Sequence, residues 1–168
     1  YLERDVLTKL RNKQYLLVNA FEAPALAMLL AGFMRFSESG VAYSFRGSEN
    51  IPPFLFISII VALFLGLSVS AEEILRDQSL LKRERFLQVK WHHYVHAKLS
   101  VVATVSLIHA AGFVAVSHFI LHIPSFFLSH MLVMFVVALF GNVLGLVISA
   151  WFKSAKVIYI VIPLLVIP

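Results

Sequence analysis

Seven histidines and one intramembrane carboxylate are the residues here whose type and spacing could do chemistry. His92 and His96 in "HHYVH" and His118 and His122 in "HFILH" both have the H-x-x-x-H spacing that sets two imidazoles on one helix face. With His93, His109 and His130 they suggest the histidine boxes of membrane di-iron desaturases and hydroxylases. Spacing along the chain argues against one shared centre. Corresponding histidines lie 22 to 26 residues apart, which in a continuous helix is roughly 35–40 Å, and two irons need ligands a few ångströms apart. The alternative is that they are interfacial histidines, polar tips at the two ends of a span. Glu22, in "LLVNAFEAPALAMLL", has Asn19 before it and Pro24 just after. A carboxylate at that depth costs a few kcal/mol unless it faces protein or a wet cavity. Asn19 and Glu22 therefore read either as a structural polar contact beside the Pro24 kink or as part of a path for substrate or protons.

Motifs of other chemistries are absent. There is no cysteine, which excludes disulfides, thiolate metal sites and a cysteine nucleophile. No glycine begins G-x-x-x-x-G-K-[ST], and neither G-x-S-x-G nor H-E-x-x-H occurs, so these residues hold no P-loop and no catalytic centre of those types. ATP chemistry would have to come from elsewhere. "GNVLG" places Gly141 and Gly145 at the G-x-x-x-G spacing that lets membrane helices approach closely, and an internal helix contact is the expected use.

The elements that position these residues are set by hydropathy. Of 168 residues, 60% are apolar and only 14% charged, well outside the range of soluble domains. Continuous apolar runs cover about 15–35, 53–71, 98–121 and 127–152, and a shorter one starts at 157. Backbone polar groups in hydrocarbon must be satisfied within a segment, and the runs lack the short alternation of a barrel, so they are expected to be helices. The fold class is an all-α, polytopic transmembrane bundle of four full spans and a truncated fifth. An opening at Tyr1 and a close on "VIPLLVIP" are what a piece of a longer protein would give. Of the fourteen Lys and Arg, all but Arg35 and Arg46 fall before span one, between spans two and three, or after span four. By the positive-inside rule the N-terminus and the 72–97 connection are cytoplasmic. The formal charge of +5 is then largely topology, and nucleic acid is not an expected partner because no aromatic basic platform accompanies it. In residues 1–14, Leu2, Val6, Leu7 and Leu10 recur at helical spacing with Glu3, Arg4, Lys9 and Lys13 on other faces, the pattern of an amphipathic helix along the interface.

Residues 72–98, "EEILRDQSLLKRERFLQVKWHHYVHAK", concentrate charge between two apolar spans. Acid comes early (Glu72, Glu73, Asp77) and base late (Lys82, Arg83, Arg85, Lys90), as a helix macrodipole favours. The interleaved Ile74, Leu75, Leu80, Leu81, Phe86, Leu87 and Val89 are many for a solvated loop. The segment is an amphipathic element that docks on something, or a topology signal with incidental helicity.

The order "SAEEILRDQSLLKRERFL…Y…K" resembles the intracellular loop of type-2 ABC exporter membrane domains, the G-subfamily or White-like group and its bacterial relatives. The family's pattern falls here on Glu73, Arg76, Arg83 with Glu84, Tyr94 and Lys98. "LTKLRNKQYLL" is similar to its connecting helix, "NIPPFLFISIIVALFLGLSVSAEEI" to its second span, and "GNVLGLVISAWFKSAKVIYIVIPLLVIP" to its fourth and fifth. His92 and His93 depart from the pattern. The resemblance implies a dimeric six-helix permease in a bacterial inner membrane, with an ATPase domain that binds ATP and Mg upstream on the same polypeptide. It makes residues 72–97 the coupling loop, with Glu73, Arg76, Arg83, Glu84 and Arg85 toward the ATPase domain, and has Glu73 with Arg76 or Arg83 make the polar contacts that hold the loop's coupling helix in place. Two other classes stay open: a metal-dependent membrane enzyme using the histidines, and a non-transporting scaffold or sensor.

Overall fold

The structure is a computed structural model that describes residues 6–7, 9, 11–35, 49–77, 91–123, 126–152 and 154–166. Among them are five principal helices and no strand: α1 (Lys13–Met34), α2 (Ile51–Ser70), α3 (Trp91–Leu121), α4 (Phe127–Trp151) and α5 (Ala155–Val166). The first four are long and apolar enough to cross a membrane and α5 is shorter, which agrees with the expected fold class. The third helix begins at Trp91, ahead of the apolar run expected from residue 98, because "WHHYVHA" continues the helix past the point where hydropathy falls. Residues 73–77 add a helical turn after α2, and Val6, Leu7, Lys9 and Arg11 are helical ahead of α1. Leu2, Glu3, Arg4 and Leu10 of that first segment, and Arg83, Glu84 and Arg85 of the charged one, lie outside the described residues.

Local chemistry explains where the helices start and stop. The Asn12 side chain accepts from the Tyr15 backbone N–H at 3.1 Å, satisfying one donor that the first turn of α1 cannot pair internally. Pro52 and Pro53 sit in the first turn of α2, where a missing N–H is harmless. α3 ends at His122, whose φ of 52° is the left-handed C-terminal conformation, and the Ile123 N–H returns to the His118 carbonyl at 3.2 Å, as in helix C-caps.

α1 packs on α3, and α2 on α4. Toward the core, α1 presents Ala23, Ala27 and Ala31, all fully buried, a stripe of small residues with one-turn spacing. Pro24 lies against Gly112, 3.6 Å from where that residue's Cβ would be. The α2–α4 crossing is closer still. A Cβ on Gly66 would strike the Ala138 carbonyl, one on Gly145 would strike the Ser70 hydroxyl, and one on Gly141 would stand 2.7 Å from the Leu63 carbonyl. Gly141 and Gly145 are thus spent on an internal contact in which two backbones touch, the arrangement small residues permit in membranes. The opposite faces, such as Phe21, Phe33, Phe119, Phe140 and Trp151, point outward, as a bundle solvated by hydrocarbon requires.

Candidate functional site: a buried charge network at one end of the bundle

The antiparallel order brings the start of α1, the end of α2, the start of α3 and the end of α4 to one end of the molecule, called here the base. Glu73, in the turn that closes α2, is 5% exposed, and its two carboxylate oxygens are divided between two elements. Oε1 meets Lys9 Nζ at 2.8 Å, and Oε2 accepts from Lys98 Nζ at 3.0 Å. Lys98, itself 5% exposed, also donates to Asp77 Oδ2 at 2.9 Å, and the Tyr94 hydroxyl donates to the same oxygen at 3.0 Å. Among the described residues two acids thus meet two bases, the pairing that lets charges be held out of water.

Helix geometry makes the pairing two-on-two. Glu73 and Asp77 are four residues apart, as are Tyr94 and Lys98, so each pair lies on one face, and the two faces meet across the bundle. α4 holds the same turn from another side. The fully buried Ser149 hydroxyl accepts from the Ile74 and Leu75 N–H groups at 2.9 and 3.0 Å. These are free donors at the start of a helical turn, so a serine on one helix caps another. Ile74, Tyr94 and Leu146 then close an apolar patch over the cluster.

Of the residues the resemblance sets beside Glu73, Arg83 lies outside the described residues, and Arg76 makes its ion pair elsewhere. Arg76 is taken by Glu72, with its Nη2 2.7 Å from Glu72 Oε2, and Glu73 turns to Lys98 and Lys9 instead. The physical reason is direction: Glu73 points into the bundle while Arg76 stays exposed. Lys9, expected on the polar face of an interfacial helix, points inward to Glu73, while Val6 and Leu7 are the exposed positions.

Beside the network a cleft of about 490 Å³ opens between α1, α2 and α5. Asn19, Glu22, Glu72, Arg76 and Tyr159 line it, with Tyr159 beside Glu72. Asn19 is held twice. Its side-chain amide donates to the Tyr15 carbonyl at 2.9 Å, and its carbonyl lies 2.7 Å from His109 Nε2. The half-buried Glu22 meets no hydrogen-bonding or ionic partner among the described residues, so the structural contact considered for it is not made there.

The histidines are divided between the two ends. His92, His93 and His96 are exposed at the base. At the far end His118 Nε2 lies 3.0 Å from His130 Nδ1, and His130 Nε2 lies 3.0 Å from the Ser58 hydroxyl. Ser58 spends its own proton on the Leu55 carbonyl at 2.7 Å, so His130 donates to Ser58 through Nε2 and accepts from His118 through Nδ1. This chain ties α2, α3 and α4 together, and Phe54 edges the His130 ring at 5.7 Å. A Ser–His pair in a nucleophile's geometry needs the hydroxyl proton to face the base, whereas here it faces a backbone carbonyl. Among the described residues no three His, Cys, Asp or Glu side chains gather to hold a metal ion.

A helical domain with four helices long and apolar enough to cross a membrane and a charge cluster packed into one end is a multi-pass integral membrane protein. A family model described as "ABC-2 type transporter" matches residues 1–168, the whole chain. The chain belongs to this family, whose membrane domains work with ABC ATPase domains. No curated protein and no solved structure matches it.

Proposed function

We propose that this chain is the permease domain of an ATP-driven exporter, working as one half of a dimer by alternating access, with the base of the bundle as its transmission. The observation that carries the reading is the double engagement of Glu73, by Lys9 ahead of α1 and by Lys98 on α3. A movement imposed on residues 72–97 reaches α1, α2 and α3 together through one carboxylate, and α4 through Ser149. In this reading the base is cytoplasmic and faces an ATPase domain upstream on the same polypeptide, where ATP and Mg are bound. This reading assigns the coupling with that domain to Glu73, Arg76, Arg83, Glu84 and Arg85. The cleft at Asn19 and Glu22 is the inner end of the translocation path, and the membrane is a bacterial inner membrane.

The test is ATP hydrolysis and substrate movement by the intact protein in liposomes, wild type beside Glu73→Ala, with insertion checked for both. A variant that inserts and hydrolyses ATP while substrate movement falls at least about tenfold, a change of about 1.4 kcal/mol, supports transmission. Absence of hydrolysis from the wild type, or a variant that transports normally, overturns it.

A further inference from the structure

Among the described residues, the lining of the cleft leaves one carboxylate without an ionic partner. Glu72 is answered by Arg76 at 2.7 Å, and Glu73 by Lys9 and Lys98 at 2.8 and 3.0 Å. Glu22 alone is left, a carboxylate nine residues into α1 from Lys13, about 13 Å along the helix axis, and unpaired among the described residues. An ionisable group at such depth persists where it faces a wet cavity or a partner, and Glu22 does line the cleft. The rest of the wall is amphipathic: Val18 and Val69 give apolar surface, and Tyr159, whose ring is largely exposed, gives an aromatic face. About 490 Å³ falls in the size range of pockets for drug-sized molecules.

We infer that this cleft binds an amphiphilic monocation, a protonated or quaternary amine on an apolar body, with Glu22 as the counter-ion and Tyr159 as a cation–π partner. The arrangement selects each feature of that ligand. One uncompensated negative charge takes one positive charge. An aromatic face adds attraction for a cation, worth more when water is excluded. The outward-facing apolar residues of α1, such as Phe21 and Leu17, adjoin the cleft on the same helix, so a ligand already dissolved in the bilayer reaches it with its apolar part still in lipid. A neutral lipid would leave Glu22 without a partner, and an anion would be repelled. The inference rests on the transport reading for what happens after binding; binding itself does not depend on it.

The test is equilibrium binding of rhodamine 6G, a rigid aromatic monocation, to the intact protein in phosphatidylcholine nanodiscs without nucleotide. Fluorescence anisotropy is read against empty nanodiscs. Saturable binding is expected, weakened by about tenfold or more in Glu22→Gln and retained in Glu22→Asp, which keeps the charge and shows that the fold tolerates change at this position. Equal affinity in Glu22→Gln, or no saturable binding by the wild type, overturns the inference. Hydrolysis of ATP in the same nanodiscs separates the two readings. Hydrolysis without dye binding removes the ligand class and leaves the transporter, whereas dye binding without hydrolysis removes the transporter and leaves the site.

Discussion

Replacing Lys98 with methionine tests the network at its centre. Its ammonium serves Glu73 at 3.0 Å and Asp77 at 2.9 Å from a position 5% exposed, so the substitution takes one cation from a buried carboxylate and a partly buried one. Breaking a buried pair by removing one partner typically costs about 3–5 kcal/mol, because the remaining charge is stranded. Here neither acid is wholly stranded: Glu73 keeps Lys9, and Asp77 keeps the Tyr94 hydroxyl. The expected cost is therefore at the lower edge of that range, about 3 kcal/mol. Glu73→Leu should cost a similar amount, since it takes the shared carboxylate from both Lys9 and Lys98. The double variant removes one charge of each sign, so its cost should fall short of the sum of the singles by about 1–3 kcal/mol. The assay is reversible unfolding in mixed micelles of dodecyl maltoside and increasing dodecyl sulfate, followed by far-ultraviolet circular dichroism. Costs that add to within about 0.5 kcal/mol would refute the claim that the two side chains act as one unit.

Other consequences can be checked independently. Ser149→Ala leaves the Ile74 and Leu75 N–H groups without their acceptor and should destabilise the domain by about 1–3 kcal/mol in the same titration, while Ser154→Ala, at an exposed position, should change nothing. Gly141→Val drives a side chain into the Leu63 carbonyl and should abolish the α2–α4 crossing, seen as loss of monodisperse protein on size exclusion. The chain has no cysteine, so single cysteines report orientation directly. An impermeant maleimide should label Ser129→Cys in intact cells and Ser154→Cys only after permeabilisation, and the reverse would invert the proposed topology.

Much of the architecture was legible because spans are written in one variable, apolar length. Four runs marked four helices, and the start of α3 at Trp91 shows the limit of that variable: Trp91–Ala97 carries histidines and a tyrosine that lower hydropathy without ending the helix. The site was legible only in part. Glu73 stood out as an acid closing a span, but its partner lies 25 residues away and no local spacing announces that pairing. The signals were the resemblance, whose pattern falls on Glu73, Tyr94 and Lys98, and the matched interval of four in Glu73/Asp77 and Tyr94/Lys98, two faces prepared for each other. The amphipathic pattern sets Lys9 on a face away from Val6 and Leu7, as in the structure, but such a pattern shows which residues avoid lipid and not which of them meet a buried acid. Ser149 and Ser58 gave no signal at all, since a serine in an apolar helix satisfies itself on its own backbone as readily as it caps another element.

The glycine seam between α2 and α4 bears on how motion would travel. Where helices meet through long side chains, rotamer changes can absorb a small displacement; where backbone lies on backbone, as at Gly66, Gly141 and Gly145, there is little to absorb it. The two helices should behave as a single stiff lever with the Glu73 cluster and Ser149 at one end and the Ser58–His130 bond at the other. A tilt begun at the base would then be delivered undamped to the far end, so loosening of the histidine chain would report movement of the charge cluster at the opposite side of the bilayer.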